Sequence, residues 1–99
     1  MLRINLPREE LASLCQQYQI EELAVFGSAV REDFSPDSDV DFLVRFKEGA
    51  RVSFEQYTNL ERALIELTGR QVDLVCHEAL ANPFRRHNVL STAETVYAI

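Results

Sequence analysis

Apolar residues recur along this chain in two rhythms, and the changes from one to the other mark out its elements. Leu11, Leu14, Cys15 and Tyr18 are spaced i, i+3, i+4 and i+7, one stripe of a helix. The preceding Asn5-Leu6-Pro7-Arg8-Glu9-Glu10 reads as its start, because proline suits a first helical turn and glutamates favour its positive end. Leu23-Ala24-Val25-Phe26 is a short unbroken apolar run ending at Gly27, the pattern of a buried strand. From Asp39 to Phe46 the period changes to two. Val40, Phe42, Val44 and Phe46 share one strand face, which must turn to a core, while Asp39, Asp41 and Leu43 share the other. Phe54, Tyr57, Leu60, Leu64 and Leu67 return to helical spacing, opened by a Ser53/Gln56 capping box and closed by Gly69. Gln71 to Cys76 reads as a third strand, with Val72, Leu74 and Cys76 on one face and Gln71, Asp73 and Val75 on the other. Asn82-Pro83 caps and starts a last helix, and Thr95–Ile99 is β-prone enough to form a terminal edge strand.

Between the first two strands, Gly27-Ser28 turns the chain into a short helix capped by Ser28 and reaching about Glu32, followed by a Ser/Pro/Asp-rich loop over 34–38. This link is too short for an ordinary parallel crossover, so the sheet is expected to be mixed. The pattern predicts one α+β domain over residues 1–99: a two-layer mixed sheet of three to five strands with helices packed on one face. There are no internal repeats or low-complexity tracts.

Composition narrows the function classes. With 99 residues, 46% hydrophobic and 26% charged, the chain resembles an ordinary globular protein, and no apolar run approaches the ~20 residues of a membrane span. Residues 1–5 lack the apolar core of a signal peptide, which predicts a cytoplasmic location. A net charge of −6 argues against direct nucleic-acid binding and suits a basic protein partner. It leaves a nucleotide substrate open, because a metal ion masks local carboxylates. Cys15 and Cys76 read as reduced thiols in apolar segments and match no zinc spacing.

The chemistry concentrates between Gly27 and Asp41. Asp39 and Asp41 on one strand face put two carboxylates side by side, where they repel unless a cation lies between them. Mg²⁺ takes oxygen ligands and keeps waters that a phosphate can replace. Aspartate is disfavoured in strands, so two in one strand ask for an explanation beyond solvent exposure. Asp73 interrupts an otherwise apolar third strand; if that strand lies beside the second, Asp73 joins the same face as general base or shared ligand. Three carboxylates could hold two ions ~3.5–4 Å apart, as in phosphoryl-transfer sites. Taken alone, Asp73 is equally an exposed strand residue. Gly27 lets the backbone approach a ligand, the helix after it offers N–H groups to phosphate, and Ser28 adds a hydroxyl. Arg31 is placed to pair with a phosphate or to brace the loop, against the plain alternative of a surface arginine. No Gly-Lys-Ser/Thr and no Gly-x-Gly-x-x-Gly occurs.

Gly-Ser at a strand end, Asp-x-Asp opening the next strand and a lone Asp in a third together resemble the nucleotidyltransferase fold of the DNA polymerase beta superfamily. The strings Gly27-Ser28-Ala29-Val30-Arg31 and Pro36-Asp37-Ser38-Asp39-Val40-Asp41-Phe42-Leu43-Val44 resemble the minimal nucleotidyltransferases of prokaryotes. The resemblance spans about Leu11 to Ile99. It implies that Gly27 and Ser28 bind a triphosphate, with Arg31 and Ser38 in the same nucleotide-binding stretch. It implies too that Asp39, Asp41 and Asp73 are the catalytic, metal-binding set, holding two Mg²⁺ ions with ATP as substrate. Many such proteins are antitoxins paired with a HEPN-domain ribonuclease toxin and transfer AMP from ATP to a toxin tyrosine. Glu32 departs from the glycine that often follows the arginine, which puts the loop's backbone freedom in doubt and leaves the carboxylates untouched.

The leading expectation is therefore a Mg²⁺-dependent nucleotidyltransferase acting on a HEPN-type partner. The alternative is a non-catalytic antitoxin that neutralises its partner by stoichiometric binding. Transfer to a small molecule ranks last, since the helical acceptor domain of such relatives is missing from these residues. His77 and His87 have no metal-ligand partner at suitable spacing and read as surface or boundary residues, and Arg85-Arg86 reads as the solvated face of a helix ahead of a contact to a partner or a phosphate.

Overall fold

The computed structural model describes residues 6–27, 39–80 and 82–99. Its elements in order are α1 (Arg8–Gln17), β1 (Ile20–Phe26), β2 (Val40–Phe46), α2 (Phe54–Thr68), β3 (Val72–Cys76), a 3-10 turn over His77–Ala79, α3 (Pro83–Thr92) and β4 (Glu94–Ala98). The short helix expected after Ser28 and the loop over 34–38 lie outside the described residues.

The four strands form one mixed sheet in the order β3-β2-β1-β4. β1 runs antiparallel to both β2 and β4, while β2 and β3 are parallel and joined through α2. β1 begins earlier than its apolar run suggested. Gln19 takes a left-handed φ of 58°, ending the α1 turn and turning the chain straight into Ile20, which is completely buried. Glu21 and Glu22 hid this start from the apolar count. Both pair with Arg45 of β2, at 3.4 and 3.0 Å, across a register shift between Ile20 and Glu22.

The sheet has two covered faces. Val25, Val40, Phe42 and Val44 turn to the main core with Leu23 and Leu74, where Leu11 and Cys15 of α1 and Leu60 and Leu64 of α2 close over them. The reading of β2 therefore holds: Val40, Phe42 and Val44 are fully buried. Helices α1 and α2 lie on this one face, as expected. Helix α3 goes to the other, where its buried Val89 meets Ala24, Phe26, Leu43 and Leu80. Leu43 is why: the aspartate face of β2 carries one large apolar residue, which must itself be covered.

The helices start and stop as their termini dictate. Ser53 Oγ accepts from the Gln56 N–H while the Ser53 N–H donates to Gln56 Oε1, and Gly69 ends α2 at φ 70°. Asn82 Oδ1 accepts from the N–H groups of Phe84 and Arg85. Both sheet edges are tied to helices: Tyr57 Oη donates to the Leu74 carbonyl at 2.6 Å, and Arg8 Nη1 donates to the Val96 carbonyl at 3.0 Å. Such contacts occupy backbone acceptors that an edge strand otherwise offers to other chains.

Phe42→Ala should lower unfolding free energy by about 3–5 kcal/mol in urea denaturation, since Phe42 is the largest fully buried side chain among the described residues. Burial pushes the Cys15 thiol up from 9.0 to about 12. Below pH 9 the thiol is protonated in both folded and unfolded chains and contributes nothing. Above it the unfolded chain sheds the proton and the folded chain keeps it, so stability falls by up to about 1.4 kcal/mol per pH unit until about 12. Urea titrations at several alkaline pH values should show Cys15→Ala flattening that loss. Part of it persists, because burial also raises the Cys76 thiol and, above pH 10, the Tyr57 phenol, raised to about 12, acts in the same sense.

Candidate active site

The end of the sheet where β1 finishes and β2 and β3 begin collects the chemistry. Phe26 pairs with Asp41 across the antiparallel β1–β2 ladder, and Asp41 pairs with Asp73 across the parallel β2–β3 ladder. Residues opposed in this way project to the same face, so Asp41 and Asp73 are lateral neighbours. Asp39 immediately precedes β2, two residues from Asp41 and thus on the same side. The first rung beside it is the Val40 N–H donating to the Gln71 carbonyl at 2.9 Å, which ties the starts of β2 and β3 together. Exposure rises outward: Asp41 is half-buried, while Asp39 and Asp73 are exposed.

Gly27 stands directly against this cluster. Its φ is +75°, and a Cβ built there would overlap Asp41 Oδ2. The left-handed backbone favours glycine, and a side chain here would have to push the Asp41 carboxylate aside.

Of the seven residues singled out from the sequence, the structure brings Gly27, Asp39, Asp41 and Asp73 to one strand end. Ser28, Arg31 and Ser38, with Glu32, lie outside the described residues. An all-carboxylate donor set suits a hard cation such as Mg²⁺ in kind. Among the described residues no group of three or more His, Cys, Asp or Glu is gathered closely enough to hold a metal ion as it stands.

The opposite end of the strands holds the described side chains whose acidities shift, apart from Cys15. Burial raises the Tyr57 phenol, and burial with a hydrogen bond to Glu78 raises the Cys76 thiol. The same bond, Cys76 Sγ to Glu78 Oε2 at 2.7 Å, holds the Glu78 carboxyl below its usual value.

Sequence reasoning assigned α3 no role at the site, yet a cavity of about 290 Å³ beside the cluster is lined by Asn88, Val89 and Thr92 together with Phe26, Gly27 and Asp41. The signal was slight: Val89 is the only buried residue of α3, and Asn88 and Thr92 flank it at i−1 and i+3.

A left-handed glycine thus ends one strand beside aspartates at the start of the next two. Residues 9–99 match the family described as Polymerase beta, Nucleotidyltransferase, and the chain belongs to that family. It is 42% identical over 67 residues to the protein adenylyltransferase MntA of Thermococcus cleftensis, covering 68% of this chain and 66% of that one. It is similar to a solved candidate minimal nucleotidyltransferase, with 39% identity and a TM-score of 0.71 over 88% of this chain and 86% of the other. The same fold recurs, at 16% identity and a TM-score of 0.65 over 93% of this chain and 70% of the other, in a complex of a tri-AMPylated Shewanella oneidensis HEPN toxin with its MNT antitoxin. The mixed sheet and its helices are thus the polymerase beta-like nucleotidyltransferase fold. No helix among the described residues is long and apolar enough to cross a membrane.

Gly27→Ala should cost about 1–3 kcal/mol of stability, because it strains the backbone and displaces the Asp41 carboxylate. Nucleotide affinity should fall with it, measured by calorimetric titration. A variant as stable and as tight-binding as the parent would show that the close approach is dispensable.

Proposed function

We propose that this chain is a Mg²⁺-dependent protein adenylyltransferase, one nucleotidyltransferase domain over residues 1–99, that acts in the cytoplasm as the antitoxin of a HEPN-type ribonuclease. The observation that carries this reading is the register Phe26–Asp41–Asp73 beside the left-handed Gly27. The adenylyltransferase name of the Thermococcus relative and the AMPylated toxin in the Shewanella complex support the donor and the partner.

In this reading Gly27 and Ser28, with Arg31 and Ser38, hold the triphosphate of ATP. A tyrosine oxygen of the partner attacks the α-phosphorus. The bond from that phosphorus to the β-bridging oxygen breaks, pyrophosphate leaves, and AMP stays on the tyrosine. Asp73, exposed at the rim, takes the tyrosine proton as general base or shares in ligation. Asp39 and Asp41, with Asp73 where it shares in ligation, would hold the Mg²⁺. What the metal supplies when bound is neutralisation of the triphosphate charge. The chain's own part is to fix the carboxylates on rigid strands, so that little reorganisation accompanies the transfer. The net charge of −6 suits a basic ribonuclease partner.

Incubation with ATP, Mg²⁺ and the protein encoded beside it should add AMP-sized mass increments to that partner. Asp39→Asn combined with Asp41→Asn should reduce the adduct at least a hundredfold, about 2.7 kcal/mol of transition-state stabilisation. If the double variant still neutralises the partner, or no adduct forms on the parent, stoichiometric binding replaces catalysis as the reading.

A further inference from the structure

The cavity beside the carboxylates has two chemically different halves. Gly27 and Asp41 form one, and its chemistry belongs to phosphate and metal. Asn88, Val89 and Thr92 of α3, with Phe26 of β1, form the other. Among the described lining residues this second half carries no charge. It offers an apolar floor from Phe26 and Val89, both nearly buried, a hydroxyl and one side-chain amide. Thr92 Oγ1 donates to the Asn88 carbonyl at 2.8 Å, so its lone pairs remain available as acceptors. A triphosphate gains little from such walls. An apolar floor with one amide is the kind of wall a nucleobase packs against, and the cavity, both halves together, measures about 290 Å³.

The kind of polar group then discriminates between bases. A carboxamide presents one donor and one acceptor side by side. On the N7 edge adenine presents the matching pair, the N7 acceptor and the N6 amino donor, whereas guanine presents there two acceptors, N7 and O6, which suit arginine or lysine instead. We infer that Asn88 is the residue that selects adenine, with Val89 and Phe26 supporting the base, so that the preference for ATP over GTP arises on α3. This inference rests on the nucleotidyltransferase reading of the site. It adds a specificity-determining residue that touches the base and lies apart from the carboxylates.

Equilibrium binding of ATP and GTP to the full chain with Mg²⁺, by calorimetry, tests it. The parent should prefer ATP. Asn88→Ala should weaken ATP about tenfold and leave GTP within about twofold, the scale of one lost bidentate contact. Asn88→Gln, which keeps donor and acceptor, should restore most of the preference. Asn88 is exposed, so its variants should melt with the parent, and an unchanged melting temperature separates base reading from a packing role. Parallel losses for ATP and GTP, or an unaltered ratio, would overturn the assignment while leaving the nucleotidyltransferase reading intact. If neither nucleotide binds the parent, both fall together.

Discussion

The register of β2 is the constraint on which the rest of the molecule depends. Val40, Phe42 and Val44 are sealed between the sheet and helices α1 and α2, and Asp39 and Asp41 alternate with them. A slip of one residue would exchange the two sets, burying carboxylates and exposing the largest side chain of the core. Desolvating a carboxylate without a partner costs several kcal/mol, so the slipped pairing has no competitive population. The same alternation that builds the core therefore aims the acidic groups. Asp73 is aimed in turn because β3 pairs with β2 residue for residue, from Val40–Val72 to Val44–Cys76.

Gly27 and Asp41 extend this constraint across the other ladder. Their close approach means that the end of β1 and the start of β2 are positioned against one another by van der Waals contact as well as by hydrogen bonds. The half-burial of Asp41 and the exposure of Asp39 and Asp73 grade the cluster from its anchored side to its open side.

Much of this was legible in the sequence, for physical reasons that can be named. Period-two alternation identified the core face of β2, the capping box identified the start of α2, and Gly69 its end. Asp73 was less certain, because the pairing of β2 with β3 is a tertiary fact that neither strand encodes locally. The early start of β1 was missed because Glu21 and Glu22 are stabilised by Arg45, a partner in another strand. The role of α3 was also invisible. One buried valine is too little periodicity to show which face a helix covers, and Leu43, the residue that calls for that cover, reads in sequence as part of the aspartate face. The assignments of Ser28, Arg31 and Ser38 still rest on resemblance, since these residues lie outside those described.

The strand order carries a consequence for biogenesis. β1 pairs with β2 soon after both are made, but its other edge is completed only by β4, after α2, β3 and α3 have intervened. Contacts between segments so distant in sequence close slowly, because chain entropy opposes them until late. A nascent chain that has not yet reached Glu94 therefore carries an open β1 edge beside Leu23 and Val25. That is the kind of surface that recruits chaperones or mispairs with a neighbouring chain on the same polysome.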